Sequence, residues 1–206
     1  VTQLLDSILS HLDAGTVRQM AGQLGIDPAT AQNAIPTALA TLLGGMARNA
    51  ADPQGAADLH AAVARDHDGS LLDHLSGLLG GAFGGSTATP GGGGLLEQGA
   101  GILGHVFGGQ QGGVAAQVGQ ATGLDTGSAA RLLMMLAPIV MSYLGRMHQQ
   151  QGLDPGSLSG LLGGAHAEIQ QSSLGGVLSS ILDANHDGSV LDDIGGLLGG
   201  LLGGKR

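Results

Sequence analysis

The chain has 206 residues, of which 41 are Gly and none is Cys or Trp. Only Phe83, Phe107 and Tyr143 carry large aromatic rings, so any core must be built from aliphatic side chains and close Gly/Ala contacts. Seven basic residues stand against 16 acidic ones, for a net charge of -9. Nucleic-acid binding needs clustered cations and stacking rings, and is excluded from the expectations on that ground. The glycines lack a triplet period, which excludes a collagen helix. The absence of Cys removes disulfides, thiolate zinc sites and thiol nucleophiles.

In chain order, Leu4, Leu5, Ile8, Leu9 and Leu12 fall on one face of a first helix. Asp27-Pro28 provides an N-cap followed by proline at the first helical position, and opens a helix through about Arg48. Pro36 lies inside that helix, where a missing N–H predicts a kink or a break. Asp52-Pro53 starts the next helix. Asp66, Asp68, Ser70 and Asp73 then form an oxygen-rich corner, followed by Gly-Leu-Leu-Gly-Gly at 77–81. Residues 84–94, Gly-Gly-Ser-Thr-Ala-Thr-Pro followed by four Gly, have the composition of a flexible linker.

After the linker the same order returns. Thr122-Gly123-Leu124-Asp125 repeats Leu24-Gly25-Ile26-Asp27, and Pro138 repeats Pro36. Asp154-Pro155 again starts a helix. His186-Asp187-Gly188-Ser189-Val190-Leu191-Asp192 repeats His67-Asp68-Gly69-Ser70-Leu71-Leu72-Asp73. The spacing between partners grows from 98 residues at Asp27/Asp125 to 119 at Asp68/Asp187, so the second copy carries insertions. No alternating Val/Ile/Thr/aromatic segment reads as a strand. The expected fold is all-α and multihelical, with a unit over 1–83, the linker over 84–94 and a second unit over 95–206.

The strongest candidate site is Asp183-Ala-Asn185-His-Asp187-Gly188-Ser189, with Asp192 and Asp193 after it. Calcium takes six to eight oxygens, and side-chain oxygens at alternate positions can converge on one ion. Gly then turns the chain and the Ser189 carbonyl follows as a ligand. The twelfth position of an EF-hand loop, normally Glu, is Ile194, so closure falls to Asp192 or Asp193. The late acid resembles that of the shortened calcium loops of Excalibur-type bacterial modules. In the first copy Ala64 replaces the leading Asp, which leaves Asp66, Asp68, Ser70 and Asp73 as a weaker site and favours helix capping there.

Other patterns point away from catalysis. Gly99-Ala-Gly101-Ile-Leu-Gly104 matches a dinucleotide fingerprint in spacing, but no strand precedes it and the first copy has no equivalent glycines. The eight histidines (11, 60, 67, 74, 105, 148, 166 and 186) form no His-x-x-x-His pair and are expected as surface or cap residues. No nucleophile elbow or phosphate loop is present, so no enzyme and no organic cofactor is expected. The apolar run Leu132–Met141 is about half the 20 residues needed to span a bilayer, and no basic leader precedes Leu4. A cytoplasmic protein is the expectation, with the surface of a membrane a less favoured partner. The tail Ile194–Arg206 repeats Gly-Gly-Leu-Leu every four residues, and Leu161–Gly164 is a shorter version. On a helix that spacing gives a Leu stripe beside a Gly stripe, suited to self-association or to docking on a protein.

Taken together, the helical start, Leu-Gly-(Ile/Leu)-Asp, the proline-containing helix, Asp-Gly-Ser-x-Leu-Asp and Gly-Leu-Leu-Gly-Gly resemble the YidB-like superfamily of bacterial proteins. Gly104-His105-Val106-Phe107-Gly108-Gly109 adds to the likeness in the second copy. The resemblance implies a small multihelical bacterial protein and brings no catalytic residues with it.

Overall fold

The computed structural model describes residues 3–66, 72, 95–172 and 174–176. Among these residues the chain is all helical, with no strand. The first copy supplies α1 (Gln3–His11), α2 (Ala14–Leu24), α3 (Pro28–Ala50) and α4 (Pro53–Asp66). The second supplies α5 (Leu95–Phe107), a 3-10 turn (Gly108–Gln110), α6 (Gln111–Thr122), α7 (Thr126–Gln151) and α8 (Pro155–Gln171). The linker expected at 84–94 and the tail 194–206 lie outside the described residues.

The helix boundaries follow from capping chemistry. Asp13, Asp27, Asp125 and Asp154 each accept a hydrogen bond from the backbone N–H three residues on. Each thus satisfies one of the donors that a helix start leaves without an intrahelical partner. Asp52 does the same for α4 through the N–H groups of Gln54 and Gly55. α2 and α6 both end on a left-handed glycine, Gly25 at φ 69° and Gly123 at φ 77°. This conformation strains any residue with a Cβ, which explains why both copies place Gly before the Asp cap.

α3 and α7 are the two long central helices, of 23 and 26 residues. Each runs on through its proline as one helix, so neither proline ends it. Ala38, Leu39, Leu42, Leu43 and Met46 of α3 are buried together with Leu132, Leu133, Leu136, Ile139 and Val140 of α7 in a single apolar cluster. Each fully buried Leu or Ile contributes about 1.5–3 kcal/mol. α7 is also the one described helix long and apolar enough to cross a membrane, with a mean hydropathy of 1.4 over its best window. In the structure 72% of that window is buried among the other helices.

The two copies interlock. α8 makes little contact with α7, its neighbour in sequence, and lies instead on α3 and α4 of the first copy. In return, α4 rests on α7, while α6 and α5 pack on both α7 and α3. Hydrogen bonds also cross between the copies. The Ser159 hydroxyl donates to the Ala50 carbonyl at 2.7 Å, and the Asn49 amide donates to the His105 carbonyl at 3.3 Å. His60 reaches the Leu153 carbonyl at 2.9 Å. Gly45 of α3 gives Phe107 room to sit against that helix, since a Cβ there would enter the ring.

Candidate functional site

The sequence points first to the Asp-rich corners. Asp66 is the last residue of α4. Asp68, Ser70 and Asp73 of the first corner lie outside the described residues, as do Asp183, Asn185, Asp187, Ser189, Asp192 and Asp193 of the second. Among the described residues no three His, Cys, Asp or Glu side chains are grouped to hold a metal ion.

The described aspartates that start helices have a defined role. Thr30 and Ser128 donate side-chain hydroxyls to Asp27 and Asp125, and their backbone N–H groups add a second bond, which holds both carboxyls below the ordinary value. Asp13 and Asp154 are lowered first by the backbone N–H groups of Thr16 and Ser157, then by the hydroxyls of those residues. Hydrogen bonds to a carboxylate favour its ionised form. The local signature is therefore Asp-x-x-Ser/Thr, with the hydroxyl residue at the third position of the helix.

A pair of histidines expected at the surface or at caps occupies the seam between the copies. His60 on α4 and His148 on α7 stand edge to face, with ring centres 4.8 Å apart and planes at 86°. Both reach the same acceptor, the Leu153 carbonyl in the α7–α8 turn, at 2.9 Å from His60 Nε2 and 2.8 Å from His148 Nδ1. A carbonyl only accepts and has two lone pairs, so both ring nitrogens donate to it. This assigns the proton to Nε2 of His60 and Nδ1 of His148. The Asp154 carboxylate follows in the same turn and is coupled electrostatically to His60. The arrangement joins α4 of the first copy to the start of α8 of the second.

His60 and His148 are 88 positions apart, and no local spacing announces the pair. The only clue in the sequence is indirect. If α7 ends near Asp154-Pro155, His148 falls in its last turn, where a side chain can reach exposed carbonyls. His166 on α8 is a different case. It is about half-buried, its Nδ1 has no partner, and burial followed by the nearby Arg48 charge lowers its pKa. The Gly-x-Gly-x-x-Gly spacing at 99–104 lies wholly inside α5, where Gly99 serves packing against α7. In Leu161–Gly164, Leu162 is buried in the shared core, whereas Gly163 and Gly164 face open space.

The chain matches the family described as "Bacterial protein of unknown function (DUF937)" over residues 6–147 and again over 148–205. No curated protein and no solved structure matches it. With nearly its whole length covered, the chain belongs to the DUF937 family of bacterial proteins.

Proposed function

We propose that this DUF937 chain is a non-enzymatic helical interaction module, related to the YidB-like proteins, whose second Asp-rich corner binds calcium. Asp183, Asn185, Asp187, the Ser189 carbonyl and Asp192 or Asp193 would supply the oxygens. The observation that carries this reading is the run of side-chain oxygens at alternate positions before a Gly, with two further Asp after it. Asp13, Asp27, Asp125 and Asp154 each have Ser or Thr three residues on, which donates to the capping carboxylate. Three residues beyond Asp183 and Asp187 stand His186 and Val190, and beyond Asp192 and Asp193 stand Gly195 and Gly196. Asp52 caps α4 with Gly55 at that same place, so what sets the corner apart is its side-chain oxygens at alternate positions before a Gly, the pattern suited to a hard cation. The first corner does carry the signature, as Asp73-His74-Leu75-Ser76, and is read as a cap.

Calcium titration by calorimetry tests the proposal, alongside thermal melting with calcium or chelator for the wild type and Asp187→Ala. The expected result is saturable binding near one equivalent, lost in the variant, together with a higher melting temperature in calcium. A ligand that binds only the native state raises its stability in this way. Absence of both heat and shift would overturn the calcium reading.

A second reading makes the Gly-Leu-Leu-Gly segments a self-association or membrane-surface element with no metal. It is favoured by the outward-facing Gly160, Gly163 and Gly164 of α8, which meet nothing within 4 Å. Each helical glycine costs about 1 kcal/mol against Ala, and nothing in the packing around these three requires it. Deletion of residues 195–206 with unchanged oligomer size and unchanged liposome binding would refute this second reading.

A further inference from the structure

We propose that His60 and His148 form an acid-sensitive latch between the two copies, closed on the Leu153 carbonyl when at most one ring is charged and released when both are. The proposal stands on geometry: two imidazoles in edge-to-face contact at 4.8 Å, each donating to one shared oxygen. Imidazole is the side chain whose charge ordinarily changes between pH 5 and 8. The first proton leaves both hydrogen bonds intact, because an imidazolium donates from either nitrogen. The second places two like charges within one ring-contact distance and weakens the contact that holds α4 against the α7–α8 turn.

The surroundings offer limited compensation. One turn either side of His60 on α4 are Ala56, Ala57, Val63 and Ala64, and one turn either side of His148 on α7 are Leu144, Gly145, Gln151 and Gly152. The Asp154 carboxylate lies in the same turn, and the His60 charge is the last of the influences that hold it below its ordinary value, after the hydrogen bonds of Ser157. The backbone N–H of Ser157 donates to it at 2.7 Å. The remaining charged residues of the elements packed against α4 are Arg48 on α3, Arg131 and Arg146 on α7, and Glu168 on α8, with Asp58, Arg65 and Asp66 on α4 itself. Four of these seven are cations, and Arg48 acts on His166. One anion beside the pair is suited to balance one imidazolium rather than two.

Charging both rings at this distance sets like charges against each other, so the latch weakens as pH falls. Release frees α4 first, since α4 is held to the second copy partly through His60.

Amide hydrogen exchange read by mass spectrometry tests this in the full chain at pH 7.5 and pH 5, with rates corrected for the intrinsic pH dependence of exchange. Peptides from 53–66 are compared with peptides from α3 as an internal reference, in the wild type, His60→Gln, His148→Gln and, as a control, His166→Gln. In the wild type and in His166→Gln, α4 is expected to exchange at least threefold faster, relative to α3, at pH 5 than at pH 7.5. Either single-ring variant is expected to show the same α4-to-α3 ratio at both pH values. Equal ratios at both pH values in the wild type would overturn the proposal whether or not the variants fold. An acid response persisting in both single-ring variants, or vanishing in His166→Gln, would overturn it as well.

Discussion

Two glycines on the same helix should respond in opposite directions to the same substitution. Gly99 and Gly101 are both inside α5, and in both an Ala would gain about 1 kcal/mol of helix propensity. At Gly101 the added Cβ meets nothing within 4 Å, so Gly101→Ala should stabilise by about that amount. At Gly99 the Cβ would collide with the backbone carbonyl of Met134 on α7. No rotamer change relieves a contact between a Cβ and a main chain, so α5 must shift away from the core. Overpacking of this kind costs about 1–3 kcal/mol, and a backbone collision against the central helix belongs at the upper end. Subtracting the propensity gain leaves Gly99→Ala less stable by about 2 kcal/mol. The two variants should therefore differ by about 3 kcal/mol, or about 6–12 °C in melting temperature for a chain of this size. Thermal unfolding followed by circular dichroism, repeated as chemical denaturation, measures the difference. If Gly99→Ala is as stable as Gly101→Ala, the close approach of α5 to α7 is wrong.

Other outcomes follow from the same packing and from the caps. Leu162→Ala removes a side chain of α8 that is fully buried in the core and should lower stability by about 2–5 kcal/mol in chemical denaturation. Ser159→Ala deletes the hydrogen bond to Ala50 across the copies and should cost about 1 kcal/mol by the same assay. The capping carboxyls of Asp13, Asp27, Asp125 and Asp154 sit below their ordinary 3.8 in the fold. Their contribution is therefore complete above that value and disappears as pH falls below it. Asp125→Asn keeps a capping oxygen without the charge, and should reduce the stability lost in that acid range. His166, whose pKa is lowered from 6.5 mainly by burial, also favours the fold at higher pH and loses its contribution as pH drops below 6.5. His166→Gln should flatten the stability profile there, read as melting temperature against pH.

Sequence made the helices and their starts legible because both are local. Asp27-Pro28, Asp52-Pro53 and Asp154-Pro155 mark helix starts through groups only a few residues apart, and the structure places α3, α4 and α8 there. At the start of α7 Asp125 is the cap, and Ser128 serves as the donor to it. The matched caps and prolines were legible for the same reason: Asp27 and Asp125 start helices that hold Pro36 and Pro138 inside them. The exchange of partners between copies was not. Nothing in the spacing of α8 says that Leu158 and Leu162 belong beside α3 and α4 rather than beside α7. For the same reason the His60–His148 pair was invisible, because it exists only once α4 has been laid against the α7–α8 turn. The calcium corner is the reverse case, a candidate carried by spacing alone.

The two copies differ most where their prolines pose the same problem. A proline inside a helix leaves the carbonyl four residues earlier without its usual donor. Pro36 does this to Gln32, an exposed residue whose carbonyl water can serve. Pro138 does it to Met134, and α5 covers that position with Gly99 lying directly over the freed oxygen. Only a glycine lets the main chain come so close, because a Cβ there would overlap the Met134 carbonyl. The first copy has no glycine in α1, and there α1 lies against α3 and α8 instead of covering the proline site as α5 does. The two sites thus differ: the first proline frees the carbonyl of an exposed residue, and the second frees one that lies under a packed helix. The glycine content of α5 therefore does not argue for flexibility at this contact. At Gly99 it marks an approach of two main chains that leaves no room for a Cβ, and its substitution is the most direct way to ask whether α5 belongs to the core.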